Sequence, residues 1–222
     1  MSTDQLPPRP SRSLAGKVAI VAGAGSSGDG LGNGRAIAIL LAEDGACVLC
    51  VDRDLAPAQR TADMVNAEGK GRAIAFQADV TSSKQCAAMV DRALDEFGRL
   101  DILVNNVGVL GPRGSAVETD EEEWARGMDI NVTSMMLATK HAVPAMLMNE
   151  RGDQGIRGSI VNMGSVAGLV GGARSLLYPV SKGAVVQMTR AMAAHHGKDG
   201  IRVNTVCPGK SHIGSDGADT SV

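Results

Sequence analysis

Tyr178 and Lys182 are the residues whose types and spacing most directly suggest chemistry. Because they lie four positions apart on a predicted helix, they share one face and can act on one ligand. An ordinary phenol has a pKa of about 10, too high for a base at neutral pH, but a nearby ammonium group stabilises the phenolate. Tyr178 is also the single tyrosine of the chain. The pair therefore predicts acid–base catalysis, in preference to an aromatic side chain that is half-buried for packing alone.

A glycine-rich run from Gly23 to Gly34 follows the first apolar segment and precedes a helical one. Glycines let the backbone turn sharply and approach a pyrophosphate, whose charge is stabilised by the N–H groups and dipole of the next helix. Asp52 closes the second apolar segment 18 residues after Gly34, near the offset of about 20 expected for an acid that binds an adenosine ribose. These features predict a dinucleotide site, in preference to a merely flexible loop.

The elements that must position these residues alternate along the chain. Apolar segments of strand length are separated by segments of helical period, and several strands are apolar at nearly every position. The predicted fold class is α/β, a doubly wound parallel sheet of the Rossmann type, which binds ligands beyond the carboxyl ends of its strands. The predicted strands are 17–23, 46–52, 72–77, 101–106, 158–163 and 201–206, and the predicted helices are 33–44, 55–68, 82–97, 120–149 and 178–198.

Two local signals refine the helix boundaries. Thr119 to Glu122 has the S/T-x-x-E pattern of a capping box, which we prefer to an acidic metal site. Pro179 suits a first helical turn and biases Tyr178 away from helical dihedral angles. The phenol is therefore expected near the start of the last helix.

Composition narrows the function classes. The 222 residues include 28 glycines without a G-X-Y period and only 2% aromatic residues, which excludes collagen and disfavours stacking platforms for single-stranded nucleic acid. The net charge is −2 with no basic cluster, so no nucleic-acid partner is expected. The four scattered cysteines predict a reducing compartment. Cys47 and Cys50 lie in a predicted strand, so no metal site is expected.

Several motifs, in this order along the chain, resemble the short-chain dehydrogenase/reductase family in its shorter single-domain form. The likeness runs from about Gly16 to Gly209. The matching cofactor motifs are the glycine turn with Gly23, Gly32 and Gly34, the adenine-contacting pair Asp79 and Val80, and Asn105-Asn106-Val107-Gly108 in place of N-N-A-G. The matching catalytic motifs are the helix asparagine Asn131, the serine Ser165, and the Y-x-x-x-K of Tyr178 and Lys182, with Ser165 placed 13 residues before Tyr178.

The resemblance implies an oxidoreductase that transfers hydride between a nicotinamide cofactor and a secondary alcohol or ketone. Tyr178 would exchange the hydroxyl proton, and Ser165 would hydrogen-bond the substrate oxygen. Lys182 would stabilise the phenolate and hold the nicotinamide ribose. Asn131 would support a water molecule that relays protons out of the site. The expected partner is a small alcohol or carbonyl substrate.

Cofactor choice depends on Asp52. A carboxylate at the end of the second strand can accept hydrogen bonds from both ribose hydroxyls and would repel a 2′-phosphate, so NAD is predicted. Arg53 directly follows and could contact such a phosphate, which leaves NADP as the alternative. The other expected cofactor-binding residues are Gly23, Gly32, Asn33, Gly34, Asp79, Val80, Asn106, Gly108, Tyr178 and Lys182.

Two features depart from the family pattern. The glycine turn is longer than usual, with nine positions from Gly23 to Gly32. After Gly209 the family continues with a cofactor-contacting threonine, a substrate-covering flap and a last strand, whereas only the polar residues 210–222 follow here. The last strand is therefore expected to be missing. The alternative hypothesis is a catalytically impaired dinucleotide-binding or interaction protein that lacks the flap.

The domain organisation predicted from these patterns is simple. Residues 1–13 are expected to form a flexible tail, 14–209 a dinucleotide-binding oxidoreductase domain, and 210–222 a disordered or truncated tail. No stretch approaches the roughly 18 apolar residues of a membrane span, and the N-terminus lacks the apolar core of a signal peptide. We therefore expect a cytoplasmic protein with no membrane partner. By resemblance, copies would associate into a homo-oligomer through helices 120–149 and 178–198.

Overall fold

The computed structural model describes residues 11–26, 30–152, 154–171 and 173–209. The strands are β1 (Val18–Ala22), β2 (Cys47–Asp52), β3 (Arg72–Gln77), β4 (Ile102–Asn105), β5 (Gly158–Met163) and β6 (Ile201–Val206). The α-helices are α1 (Asn33–Glu43), α2 (Leu55–Glu68), α3 (Ser83–Phe97), α4 (Glu121–Met128), α5 (Ser134–Leu147) and α6 (Leu177–His196). Residues 1–10 and 210–222 lie outside the described residues, so what was expected of the two tails stays a prediction.

The described strands form one parallel sheet in the order β3-β2-β1-β4-β5-β6. This confirms the doubly wound fold of the Rossmann type. The strand order reverses at β1, where Ala22 pairs with Val51 on one side and with Asn105 on the other. A crevice opens at such a reversal, beyond the carboxyl ends of the strands. Within the described residues, β6 lies at one edge of the sheet.

Two apolar cores cover the faces of the sheet, because successive side chains of a strand point to opposite faces. Ile20 of β1 faces the core shared with α3 and α5, whereas Val21 faces the core shared with α1 and α2. Cys47 and Cys50 likewise contact opposite cores, so they do not converge on one ligand. Among the residues placed in the structure, no cluster of His, Cys, Asp and Glu could hold a metal ion, and no helix could cross a membrane.

The predicted helix 120–149 is two helices joined by a π-helical turn, Asp129–Thr133. The residues that flank the turn, Met128 and Ser134, have helical dihedral angles, so the chain stays helical through it. Asn131 lies within the turn and is fully buried. Such π-helical turns occur frequently at functional sites.

The capping residue of α4 differs from the predicted one. Asp120, not Thr119, caps the helix, since its carboxylate accepts a hydrogen bond of 2.8 Å from the N–H of Glu123. The Thr119 hydroxyl instead donates to the carbonyl of Ser115 at 2.8 Å. Aspartate and threonine both suit an N-cap, and the local turn at Ser115 decides between them.

Asp101 joins the amino ends of β1 and β4, at the end of the sheet opposite the crevice. Its carboxylate is 5% exposed and accepts hydrogen bonds from Arg99, from Lys17 and from the N–H of Val18 at 2.7 to 3.1 Å. Burial alone would raise the pKa of Asp101, but the hydrogen bonds from Arg99, Val18 and Lys17 together outweigh it, and the pKa lies below its usual value.

We expect Asp101→Asn to lower the free energy of unfolding at pH 7 by about 2 kcal/mol, because charged hydrogen bonds to Arg99 and Lys17 are lost. A lowered carboxyl pKa contributes stability above the unfolded-state pKa of about 4, and this contribution is lost as the pH falls through the folded-state value. The difference between the proteins should therefore shrink below about pH 4. Urea unfolding of both proteins from pH 7 to below pH 4 measures this difference in stability, and Asp91→Asn, at an exposed position, is the control. Equal stability at pH 7 would contradict the prediction.

Candidate active site

The glycine turn brings the start of α1 against the end of β1. Gly23 has a φ of +80°, a left-handed conformation that glycine adopts without strain. Gly32 is the N-cap of α1, and a Cβ on Gly34 would overlap the carbonyl oxygen of Gly23. The same carbonyl accepts a hydrogen bond of 2.9 Å from the Asn106 side chain. Only glycine at position 34 permits this close approach of helix and strand.

Two buried side chains that sequence reasoning did not single out support the turn. Arg35 is 1% exposed and donates to the carbonyl of Gly30 at 2.6 Å and to the Thr61 hydroxyl at 3.2 Å. Thr61 in turn donates to the carbonyl of Ala24 at 2.8 Å. The available sequence signal was a charged residue, Arg35, directly before the apolar run 36–42 of α1.

A cleft of about 610 Å³ lies beyond the carboxyl ends of the strands, within the range of cofactor sites. Gly25, which the sequence analysis did not single out, also lines it, and a Cβ there would lie 2.6 Å from the Asp52 carboxylate. Gly32, Asn33 and Gly34 form the start of α1 and are not among the lining residues, and neither are the predicted cofactor residues Tyr178 and Lys182 of α6. The predicted cofactor residues that line the cleft are Gly23, Asp52, Asp79, Val80, Asn106 and Gly108.

Two carboxylates of the cleft are held by neighbouring donors. Asp52 accepts hydrogen bonds from the N–H of Gly25 at 3.0 Å and from the N–H of Asp54 at 3.2 Å. Asp79 accepts from the hydroxyl of Thr81 at 2.7 Å and from its N–H at 2.9 Å. The side-chain and backbone hydrogen bonds from Thr81 hold the pKa of Asp79 below its usual value. These hydrogen bonds fix both carboxylates in the cleft.

Gly108 joins this cleft to the predicted catalytic residues. A Cβ on Gly108 would lie 3.2 Å from Nζ of Lys182 and 3.5 Å from Oδ1 of Asn131. Because Gly108 has no side chain, the Lys182 ammonium lies close to the backbone that lines the cleft. The fold brings together residues from the β4–α4 connection, the π-helical turn and α6.

Tyr178 and Lys182 share the first turns of α6, as predicted. Nζ of Lys182 lies 5.8 Å from the centroid of the Tyr178 ring. The predicted position of the phenol near the helix start is confirmed, because Tyr178 is the second residue of α6, and it lies within the helix despite the bias expected from Pro179. Pro179 is the third residue of this helix, where its missing N–H leaves no helical hydrogen bond unmade.

The Lys182 ammonium is buried, with 4% of the residue exposed. It donates to the carbonyl of Met163 at 2.7 Å, at the end of β5. Burial lowers the pKa of Lys182 to about 8, and the nearby Cys207 partly opposes this effect. An ammonium group has three hydrogens, so Lys182 can also donate to a ligand.

Ser165 is the second residue after β5 and is 8% exposed. Its hydroxyl accepts a hydrogen bond of 3.2 Å from the N–H of Ala167 and caps a short 3₁₀ turn, Val166–Gly168. This turn packs on α6, since a Cβ on Gly168 would lie 2.5 Å from the carbonyl carbon of Lys182. The hydroxyl that accepts this bond can still donate its own hydrogen to a substrate.

The Asn131 amide is occupied by the protein. Its Oδ1 accepts from the N–H of Val109 at 2.7 Å, and its Nδ2 donates to the carbonyl of Val109 at 2.8 Å and to the hydroxyl of Ser181 at 2.9 Å. Both amide hydrogens are thereby used. Ser181 and also Ser175, which sequence reasoning missed, contact the backbone of Tyr178. Their spacing, three residues before and three after the tyrosine, is the available sequence signal.

Comparison with known proteins places this arrangement in a family. The family model described as short chain dehydrogenase matches residues 17–216. The 2-(S)-hydroxypropyl-CoM dehydrogenase 3 of Xanthobacter autotrophicus is 43% identical over 183 residues, which cover 82% of this chain and 69% of that protein.

Solved structures are similar over most of the chain. A short-chain dehydrogenase/reductase from Burkholderia xenovorans matches with a TM-score of 0.83 and 41% identity, covering 92% of this chain and 78% of that one. A NAD⁺-bound xylitol dehydrogenase matches with a TM-score of 0.79 and 32% identity, covering 88% and 71%. The sheet order, the glycine turn and these matches together assign the chain to the short-chain dehydrogenase/reductase family.

Proposed function

We propose that this chain interconverts secondary alcohols and ketones with NAD, using Tyr178 as the acid–base residue. The reaction class, hydride transfer between a nicotinamide cofactor and a secondary alcohol or ketone, follows from the family. One observation carries the assignment of Tyr178. The buried Lys182 ammonium lies 5.8 Å from the tyrosine ring and beside Gly108 at the wall of the cleft.

Each proposed catalytic residue has a distinct task. In the oxidative direction the Tyr178 phenolate accepts the proton of the substrate hydroxyl, and in the reductive direction the phenol returns it. The Lys182 ammonium stabilises the phenolate, and its charge acts strongly because the surroundings are buried. The Ser165 hydroxyl donates a hydrogen bond to the substrate oxygen. A bound nicotinamide supplies the hydride acceptor or donor.

The proposed task of Asn131 differs from the water relay implied by resemblance. Both hydrogens of its amide go to Val109 and Ser181. Val109 lines the cleft. We therefore assign the Asn131 side chain to holding Val109 in the cleft wall. Its Nδ2 has no hydrogen left for a relay water, which would have to donate to an acceptor such as Oδ1 or the backbone carbonyl.

The Asp52 carboxylate supports NAD as the cofactor. It is fixed in the cleft by two backbone N–H groups, those of Gly25 and Asp54, so it cannot easily turn away from a ribose. Two unit charges about 4 Å apart repel by roughly 4 kcal/mol at an effective dielectric of 20, which disfavours the 2′-phosphate of NADP. Arg53, the residue that could favour NADP, is exposed and has the Asp54 carboxylate 3.9 Å away.

We expect NAD to bind at least about tenfold more tightly than NADP. Asp52→Asn should narrow this gap, because it removes the charge while keeping the side-chain size and an acceptor oxygen for Gly25. Calorimetric titration of both oxidised cofactors measures the gap, and the exposed Asp63→Asn on α2 serves as the matched control. Equal affinities of the wild-type protein for NAD and NADP would overturn the proposed cofactor.

A direct assay separates this function from the alternative. Purified protein is tested for NADH formation with short aliphatic, cyclic and polyol secondary alcohols, and for NADH consumption with the corresponding ketones. Turnover abolished by Tyr178→Phe supports the proposal. Calorimetric binding of NADH without turnover of any compound would instead favour a dinucleotide-binding protein without catalysis.

The remaining parts of the proposal concern context. We propose that the protein acts in the cytoplasm on small molecules and forms a homo-oligomer through the faces of α5 and α6. Met136 of α5 and Met148, the residue that caps its C-terminal end, are 41% and 69% exposed and are apolar groups available for such a contact. Sedimentation of the purified protein measures the oligomeric state.

A further inference from the structure

The peptide groups of Tyr178 are held on both sides by serine hydroxyls. The Ser175 hydroxyl accepts a hydrogen bond of 3.3 Å from the N–H of Tyr178. The Ser181 hydroxyl donates one of 2.9 Å to the carbonyl of Tyr178. Since the first N–H groups of a helix have no partner within it, Ser175 satisfies a donor that α6 leaves unpaired.

Both serines also bind the connection between β4 and α4. Ser175 donates to the carbonyl of Leu110 at 3.0 Å. Ser181 accepts from Nδ2 of Asn131, whose amide also bonds both the N–H and the carbonyl of Val109. Two independent paths thus connect the backbone of the catalytic tyrosine to adjacent residues of this connection, Val109 and Leu110.

A backbone pairing reinforces the path through Ser175. The N–H of Gly114 donates to the carbonyl of Arg174 at 3.1 Å, and the N–H of Leu176 donates to the carbonyl of Gly114 at 3.2 Å. These bonds form an isolated bridge between Gly114 and Ser175. The segment before α6 therefore follows the β4–α4 connection rather than moving independently of it.

Burial makes these hydrogen bonds difficult to replace. Ser175 is 6% exposed, while Ser181 and Asn131 are fully buried, so water does not readily replace a lost partner. A serine hydroxyl has one hydrogen to donate, and both serines use it within the protein. Val109 lines the cleft next to Gly108, and a Cβ on Gly108 would lie 3.2 Å from the Lys182 ammonium.

We propose that Ser175 and Ser181 are positioning residues that hold Tyr178 in register with the cofactor cleft through Leu110 and Val109. The inference rests on the proposed role of Tyr178 as the acid–base residue. Loss of Ser175 leaves the cleft intact but lets the phenol shift relative to the reacting atoms. Because displacements of about 1 Å can reduce rates about a hundredfold, a partial release through one serine should affect kcat more than cofactor binding.

The test compares Ser175→Ala with the wild-type protein. We expect kcat to fall about tenfold, with the KM for NAD changed by less than about twofold. Ser175→Thr keeps the hydroxyl and should restore most of the lost kcat. Ser115→Ala removes an exposed hydroxyl from the same connection and is the matched control, with unchanged kcat.

Amide hydrogen exchange gives a readout that does not depend on turnover. In Ser175→Ala the N–H of Tyr178 should exchange at least about tenfold faster, and Ser175→Thr should slow it again. Unchanged exchange at Tyr178, or faster exchange with wild-type kcat, would overturn the positioning role. Failure of the proposed function itself looks different, because Tyr178→Phe would then keep the wild-type rate whatever the exchange data show.

Discussion

Tyr178→Phe should reduce kcat by a factor of about 10² to 10⁴, the range contributed by general acid–base catalysis. The substitution keeps the ring beside Lys182 and removes only the hydroxyl that exchanges the substrate proton. The fold should be retained, since the half-buried tyrosine is anchored through its backbone by Ser175 and Ser181. NADH formation under saturating alcohol and NAD measures the loss.

Cofactor titration provides the control for this variant. Calorimetry should give Tyr178→Phe a Kd for NAD within about threefold of the wild-type value, because the residues lining the cleft are unchanged. A variant that turns over at the wild-type rate would show that Tyr178 is not the acid–base residue. A variant that neither binds NAD nor unfolds cooperatively would show that the hydroxyl supports the fold.

Lys182→Met should reduce kcat by a similar factor, about 10² to 10⁴, because the phenolate loses the charge that stabilises it. Methionine is apolar and of similar length, so it suits the buried position. The exposed Lys140→Met on α5 is the matched control and should leave kcat unchanged. Wild-type turnover of Lys182→Met would rule out the proposed charge effect.

The same substitution should have the opposite effect on stability. Burial lowers the pKa of Lys182 from 10.5 to about 8, so the unfolded chain binds its proton more tightly than the folded one between these values. Stability of the wild-type protein should therefore rise between pH 8 and 10.5, by an amount on the order of 3 kcal/mol from this group alone.

Thermal unfolding of both proteins across this range tests the sign. Below pH 8 the wild-type protein carries the full cost of the buried ammonium, so Lys182→Met should be at least as stable there. As the pH rises, the wild-type protein should gain stability relative to Lys182→Met. It should not gain stability relative to Lys140→Met, because Lys140 is exposed. A wild-type protein that loses stability relative to Lys182→Met as the pH rises would contradict the prediction.

Much of the fold could be predicted because the period of apolar residues is a local property. The bounds predicted for β3, β5 and β6 are those observed, β2 begins one residue later than predicted, and β1 and β4 are shorter than predicted by one residue at each end. The break between α4 and α5 could not be predicted in this way. It depends on Asn131 reaching the backbone of Val109, 22 residues away, which no periodicity records.

The glycine turn was likewise predicted in part from the sequence. Its composition and the spacing to Asp52 were sufficient to predict a dinucleotide site, since any backbone that approaches a pyrophosphate needs glycine. The role of Gly25 depends instead on the Asp52 side chain, which the parallel pairing of β1 and β2 brings beside it. Arg35 was missed for a related reason, because its partner Thr61 lies on another helix.

By itself, the sequence determined where strands and helices alternate along the chain. It also determined that Tyr178 and Lys182 share one face of α6, since one helical turn separates the pair. Tertiary structure alone decided that Lys182 donates to Met163, and that Ser175 binds Leu110, 65 residues away. The physical reason is that hydrogen-bond partners distant in the chain are chosen by which strands lie side by side. That choice depends on burying both faces of the sheet together.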